Sequence, residues 1–295
     1  MTSPIPLWLT ALAMATVFAV MLSLGLMLGR EQIAAALQRR VVLAAVLFAV
    51  VVPVPALAIL FVKLLGIKGP VAAGILLMAI SPGAPVALRR AIEAGGHAAF
   101  APALHLAIVL SAVVTVPASV AVLDLIFAHN FTVSPLDVAR QVFIAQLLPL
   151  GLGAALRAFR PDAATRIEPG LARVANLMLL VLLAVLLAVL WPLLVEIGWT
   201  PFAAGAGLSV CALLIGATCA GRDAAVRPAG AVAAAMRNPG LALLIATVNK
   251  APAAVVASVF GYALGLVAVV TVFVVWQRRR VAAMEDGTSK TLQKA

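Results

Sequence analysis

The sequence predicts an all-α membrane protein of nine transmembrane helices, two of them discontinuous, arranged as inverted repeats. Three observations carry that prediction. Of 295 residues, 65% are hydrophobic and only 11% charged, with a mean hydropathy of +1.18, a balance outside the range of soluble globular domains. The apolar residues fall into nine runs, each of about 20 residues or more, enough to cross ~30 Å of hydrocarbon at 1.5 Å per residue. Two of these runs are interrupted by proline-glycine motifs, Ile80-Ser81-Pro82-Gly83-Ala84-Pro85 and Arg237-Asn238-Pro239-Gly240. Proline lacks the backbone donor and clashes with the preceding turn, so a helix does not run through unbroken. Within a bilayer the freed backbone groups survive only in protein or against a wet cavity. Paired broken helices in two halves of a membrane chain point to a carrier's binding site.

The spans follow in order. Span 1 (5–29) stops before Arg30, and span 2 (41–65) starts after Arg39 and Arg40. Span 3 (70–93) contains the first break and closes on Arg89 and Arg90. Span 4 (98–128) carries His105, and span 5 (134–157) carries Gln141 and Gln146, whose spacing keeps them off a shared helix face. Span 6 (170–195) starts beyond Arg157, Arg160 and Arg166. Span 7 (200–220) holds Cys211 and Cys219, which form no CxxC and read as small core residues. Span 8 (224–248) contains the second break. Span 9 (251–276) carries Gly261 and Gly265, a GxxxG of little weight in a chain so rich in small residues. Residues 1–276 thus form a single transmembrane domain, and 277–295 read as a polar, disordered cytoplasmic tail. Counting the broken spans as the fourth helices of a five-helix unit makes spans 5–9 one repeat and spans 1–4 a truncated copy, inverted because the offset is odd.

Charge sets the orientation. Sixteen of the 21 basic residues lie at one end of the spans, against Lys63, Lys68, Arg140 and Lys250 at the other; Arg237 lies between. The arginine-rich end is expected to be cytoplasmic, placing the amino terminus outside and the carboxyl terminus inside a bacterial inner (plasma) membrane. The net charge of +11 has this origin and implies no nucleic-acid partner. No Lys/Arg run precedes span 1, so no cleaved signal peptide is expected. There is no HExxH, GxSxG, P-loop or Cys/His cluster, so neither an enzyme nor a metal or cofactor site is expected.

Several stretches resemble the bile acid:sodium symporter family. Leu22-Ser23-Leu24-Gly25-Leu26-Met27-Leu28 is similar to its Met-Gly-Leu-Thr-Leu segment, Ser81-Pro82-Gly83 to its Cys-Pro-Gly-Gly break, and Met236-Arg237-Asn238-Pro239-Gly240-Leu241 to its Met-Gln-Asn-Ser-Gly-Leu break. The resemblance runs from about 20 to 275. It implies a core domain, a panel domain, two discontinuous helices crossing within the core, and alternating-access transport of a small or amphipathic organic anion. Nine spans match members that lack the first helix of the ten-helix form. It also implies where sodium would bind, and there the chain departs from the pattern. The positions that carry oxygen ligands in the family become Val50, Ala87, Leu88, Ala101 and Ala233, a threonine position becomes His105, and the glutamine of the second break becomes Arg237. Sodium needs hard oxygen ligands, and an arginine repels it. The expectation is a carrier without sodium coupling, with a proton as the candidate coupling ion.

Arg237 has no acid at membrane depth, where a charge costs ~2.5 kcal/mol or more. Three readings stand: a surrogate cation in the vacated sodium site, a fork for a substrate carboxylate, or a side chain that snorkels to water. His105 is either a neutral, hydrogen-bonded histidine or a proton site; on the family pattern it shares a cavity with Arg237. Asn238 is expected to cap a half-helix. The half-helix starts after Gly83 and Gly240 favour an anion. The candidate site is therefore Arg237, Asn238, His105, Ser81, Pro82, Gly83, Pro239 and Gly240. Two rivals remain: an auxin-efflux-like carrier, and a non-transporting binding or sensor protein on a degenerate carrier fold.

Overall fold

A computed structural model describes residues 7–127 and 134–292, and these are helical, with one isolated β-bridge and no sheet. The elements are α1 (Leu7–Leu26), α2 (Arg30–Gln38), α3 (Arg40–Val51), α4 (Pro53–Leu64), α5 (Gly69–Ala79), α6 (Val86–Glu93) and α7 (Phe100–Ile126). There follow α8 (Pro135–Val142), a π-helical turn (Phe143–Leu147), α9 (Leu148–Phe159), α10 (Pro161–Ile197), α11 (Thr200–Cys219), α12 (Arg227–Ala235), α13 (Pro239–Val248) and α14 (Ala253–Leu292). Among the described residues, seven stretches are long and apolar enough to cross a membrane: Trp8–Leu26, Arg40–Leu64, Phe100–Ile126, Pro135–Phe159, Pro161–Ile197, Thr200–Cys219 and Ala253–Ala283. The two other apolar segments are the broken ones. Their longer halves, α5 and α13, have 11 and 10 residues, about half of what a crossing requires.

Prolines explain the interruptions. Pro53 opens α4 and, with Pro55, withholds N–H groups from the end of α3. Pro149 cannot donate to Ala145, and the ladder lengthens ahead of it: the Leu148 N–H bonds the Phe143 carbonyl, five residues back.

Two sets of close helix packing stand out, joined by contacts of α1 with α13 and of α10 with α14. In the first, α1, α9 and α10 pack on one another. Gly25 lies against the Leu150 carbonyl and Gly153 against the Leu22 carbonyl, so any side chain there would collide with backbone. In the second, α11 packs on α12 and α14, and α5 on α14. Gly205 meets the Tyr262 carbonyl, Gly216 the Gly230 carbonyl and Gly265 the Phe202 carbonyl. Small residues are what bring helices this close in a membrane. The GxxxG of span 9 is therefore spent on α11 inside the chain.

The ends of the bundle sort as the charges imply. At the arginine-rich end Arg39 pairs with Asp223 and the His97 N–H donates to the Ala225 carbonyl at 2.7 Å. At the other, the Lys63 ammonium lies 5.7 Å from the Phe127 ring centroid, and Asn249 Nδ2 donates to Gln141 Oε1 at 3.3 Å.

Some expectations shift. The sixth span starts at Pro161 rather than 170, because Pro161 and Asp162 make a good first turn and Pro169 is absorbed within the helix. Residues 277–295 are helical as far as Leu292, with no proline to stop them; 293–295 lie outside the described residues. Cys211 is exposed on the bundle surface rather than in the core. An apolar residue in a membrane helix need not face inward, since the lipid face is apolar too.

Candidate functional site

The two breaks meet. Pro82 and Arg237 form an antiparallel β-bridge, and the Asn238 N–H donates to the Ser81 carbonyl at 2.7 Å. The Asn238 side chain completes the junction. Its Oδ1 accepts from the Leu241 N–H at 3.0 Å, capping α13, and its Nδ2 donates to the Gly83 carbonyl at 3.2 Å. Ser81 Oγ returns to the Leu77 carbonyl at 2.7 Å at the end of α5. Gly83 has φ +79°, a conformation side chains rarely adopt, and a Cβ there would sit 3.1 Å from Val109 Cγ2 on α7. Gly240 packs on Val17 of α1, where a Cβ would approach Cγ2 to 2.8 Å.

Diverting the Asn238 N–H has a consequence for Arg237. In an unbroken helix that N–H would bond the Ala234 carbonyl, and Pro239 offers none to Ala235. Instead Arg237 folds back, and its Nη2 donates to the Ala234 carbonyl at 3.0 Å. Nη1 donates to the Val50 carbonyl, also at 3.0 Å. Both acceptors lie in the last turn of their helices, α12 and α3, where the backbone dipoles present partial negative charge. A guanidinium is thus held by two helix ends, with its Nε unpartnered. The side chain is 1% exposed, so it does not reach water. Tyr262, the one tyrosine, is buried on α14 within electrostatic reach of Arg237. Sequence reasoning passed over Tyr262; its being the only tyrosine, inside an apolar run, was the available signal.

The positions expected to have lost sodium ligands lie in the core. Val50, Ala87, Leu88, Ala101 and Ala233 are all buried in the main apolar core. Among the described residues, no group of three or more His, Cys, Asp or Glu could hold a metal ion.

A cavity of about 490 Å³ lies between the two helix groups. Arg237, Asn238, Pro239 and Gly240 line it, with Ala84 and Pro85 from the first break. One wall is α1 and α10, the other α14, and Arg89 and Arg90 of α6 stand on its border. Ser81, Pro82 and Gly83 sit behind Asn238 and do not line it. His105 does not line it either. It lies buried on α7, one turn before Ile108 and Val109, which pack on Gly83, and its Nε2 has no partner. The structure therefore joins the two breaks but separates His105 from the cavity. Gln141 bonds Asn249. Gln146 lies in the π-helical turn, completely buried, with both amide atoms unpartnered.

Among known families, the model of the Sodium Bile acid symporter family matches residues 14–197. The matched stretch begins within α1, takes in the first break and α10, and ends before the second break. No curated protein matches the chain.

Proposed function

The chain belongs to the sodium bile acid symporter family and is a membrane transporter, not an enzyme; from that premise we propose that it carries an organic anion by alternating access without sodium, Arg237 standing as a fixed cation where the coupling ion would bind. The single observation behind this reading is the guanidinium between the Val50 and Ala234 carbonyls, beside positions stripped of oxygen ligands. A cation there leaves no charge deficit for sodium to fill, and repels one that approaches.

In this reading the seven long helices and two broken ones make nine spans, with the amino terminus outside and the carboxyl terminus cytoplasmic. The set α1, α9 and α10 is the panel, locked by the Gly25–Gly153 contact, and the remaining helices are the core. The cavity between them is the substrate site, and motion of panel against core moves access from one face to the other. Asn238 binds at its floor, and Arg237 supplies the field that favours an anion.

The test compares thermal stability in sodium and in choline for the wild type and for Arg237→Gln combined with Ala233→Glu. The expected result is no sodium effect on the wild type and a sodium-dependent rise in the double variant. A sodium-dependent rise in the wild type overturns the reading. Proteoliposome uptake of taurocholate in the two salts checks transport itself.

A further inference from the structure

The cavity is not closed toward the lipid. Its walls on α10 and α14 include Leu180, 64% exposed, and Val267, 50% exposed, with Leu187 and Leu264 each just over a third exposed. In a bilayer these side chains meet acyl chains, so the space between α10 and α14 is a slot open sideways to the hydrocarbon. Polarity changes along it. Asn176, Thr271, Arg89 and Arg90 stand at the arginine-rich end, where Trp276 stacks with Arg280 at the level of the membrane interface. Leu183, Leu187, Phe260 and Leu264 lie deeper. From Asn176 to Leu187 the helix rises roughly 16 Å at 1.5 Å per residue. That is the depth of one leaflet, half of ~30 Å.

The charge at the mouth is unbalanced. Arg89 Nε and Arg90 Nη1 share one carboxylate, Glu93, each at 2.9 Å. Two guanidiniums and one carboxylate leave a single positive charge with free donors, a match for one monoanionic head.

We propose that the slot between α10 and α14 binds a long-chain carboxylate from the arginine-side leaflet, its carboxylate at Arg89 and Arg90 and its chain along the slot, admitted sideways from the bilayer. This rests on the reading of the chain as an organic-anion carrier and names the class of anion. The apolar walls solvate the chain, and Arg237 and Asn238 at the inner end keep a polar floor.

The test is equilibrium binding of tritiated palmitate to the full chain in phosphatidylcholine nanodiscs, because palmitate crosses lipid unaided and its flux would be uninformative. Wild type is expected to bind saturably, and palmitoyl-lysophosphatidylcholine, with the same chain and no net charge, to compete at least tenfold more weakly. Arg89→Gln with Arg90→Gln is expected to weaken binding about tenfold, and Arg89→Lys with Arg90→Lys to restore most of it. Leu180→Trp with Val267→Trp, which fills the slot from exposed positions, is expected to abolish it. Unsaturable partitioning, or saturable binding indifferent to both sets of variants, overturns the inference. Taurocholate uptake into proteoliposomes without saturable palmitate binding sinks this inference and leaves the carrier reading intact. Palmitate binding as stated without taurocholate uptake does the reverse.

Discussion

Asn238 does three things at once: its N–H holds Ser81, its Nδ2 holds Gly83 and its Oδ1 caps α13. Replacing it with alanine removes a cap, ~1 kcal/mol, and a buried side-chain hydrogen bond, ~1 kcal/mol. Asn238→Ala is therefore expected to lose about 2 kcal/mol, read as a lowered unfolding midpoint in detergent, with uptake lost alongside. Asn238→Asp keeps the cap and loses the donor, and its midpoint should fall between the two. Gln146 presents the opposite case, a buried amide with nothing to bond. Gln146→Leu removes the penalty of an unsatisfied group, ~1–3 kcal/mol, and is expected to raise the midpoint; a fall would mean that Gln146 has a partner in another conformation of the carrier.

The broken segments are the elements on which the proposed function turns. Gly83→Ala forces a side chain into a positive φ and against Val109; a destabilisation of ~1–2 kcal/mol is expected, with Gly83→Asn milder because asparagine tolerates that region better. These breaks were legible in the sequence, since Pro82 and Pro239 interrupt runs that nothing else interrupts. Their crossing came from the resemblance, because no local pattern says that residue 238 meets residue 81. The cavity's position was not legible either: Arg89 and Arg90 read as an orienting charge, and only packing puts them beside the second break. The π-helical turn escaped as well, since Pro149 marks a perturbation without saying whether the helix kinks, ends or lengthens. Between elements, the Arg39 guanidinium holds the Asp223 carboxyl below its usual range. A depressed carboxylate value stabilises the fold above the unfolded value, near pH 4, and that contribution fades as pH falls through the lower folded value. The pair is solvent-exposed, so Asp223→Asn is expected to cost under ~1 kcal/mol at pH 7. The cost should shrink as unfolding is measured at pH values falling below the ordinary carboxylate range.

For the whole molecule, the segregation of arginine from lysine ends predicts how it sits. Arg222→Cys, at the arginine-rich end, is expected to react with an impermeant maleimide only in inverted vesicles, and Lys250→Cys only in right-side-out ones; the reverse labelling would invert the orientation. The join between the breaks has a further bearing on how such a chain is made. Gly83 and the Asn238 amide that satisfies it are separated by 155 residues. At roughly 5–20 residues per second, the ribosome needs about 8 to 30 s to supply the partner. Throughout that interval the first break stands in the membrane without it, so a chain cut short before the second break is an incomplete product and a natural substrate for an insertase to shelter or a protease to remove.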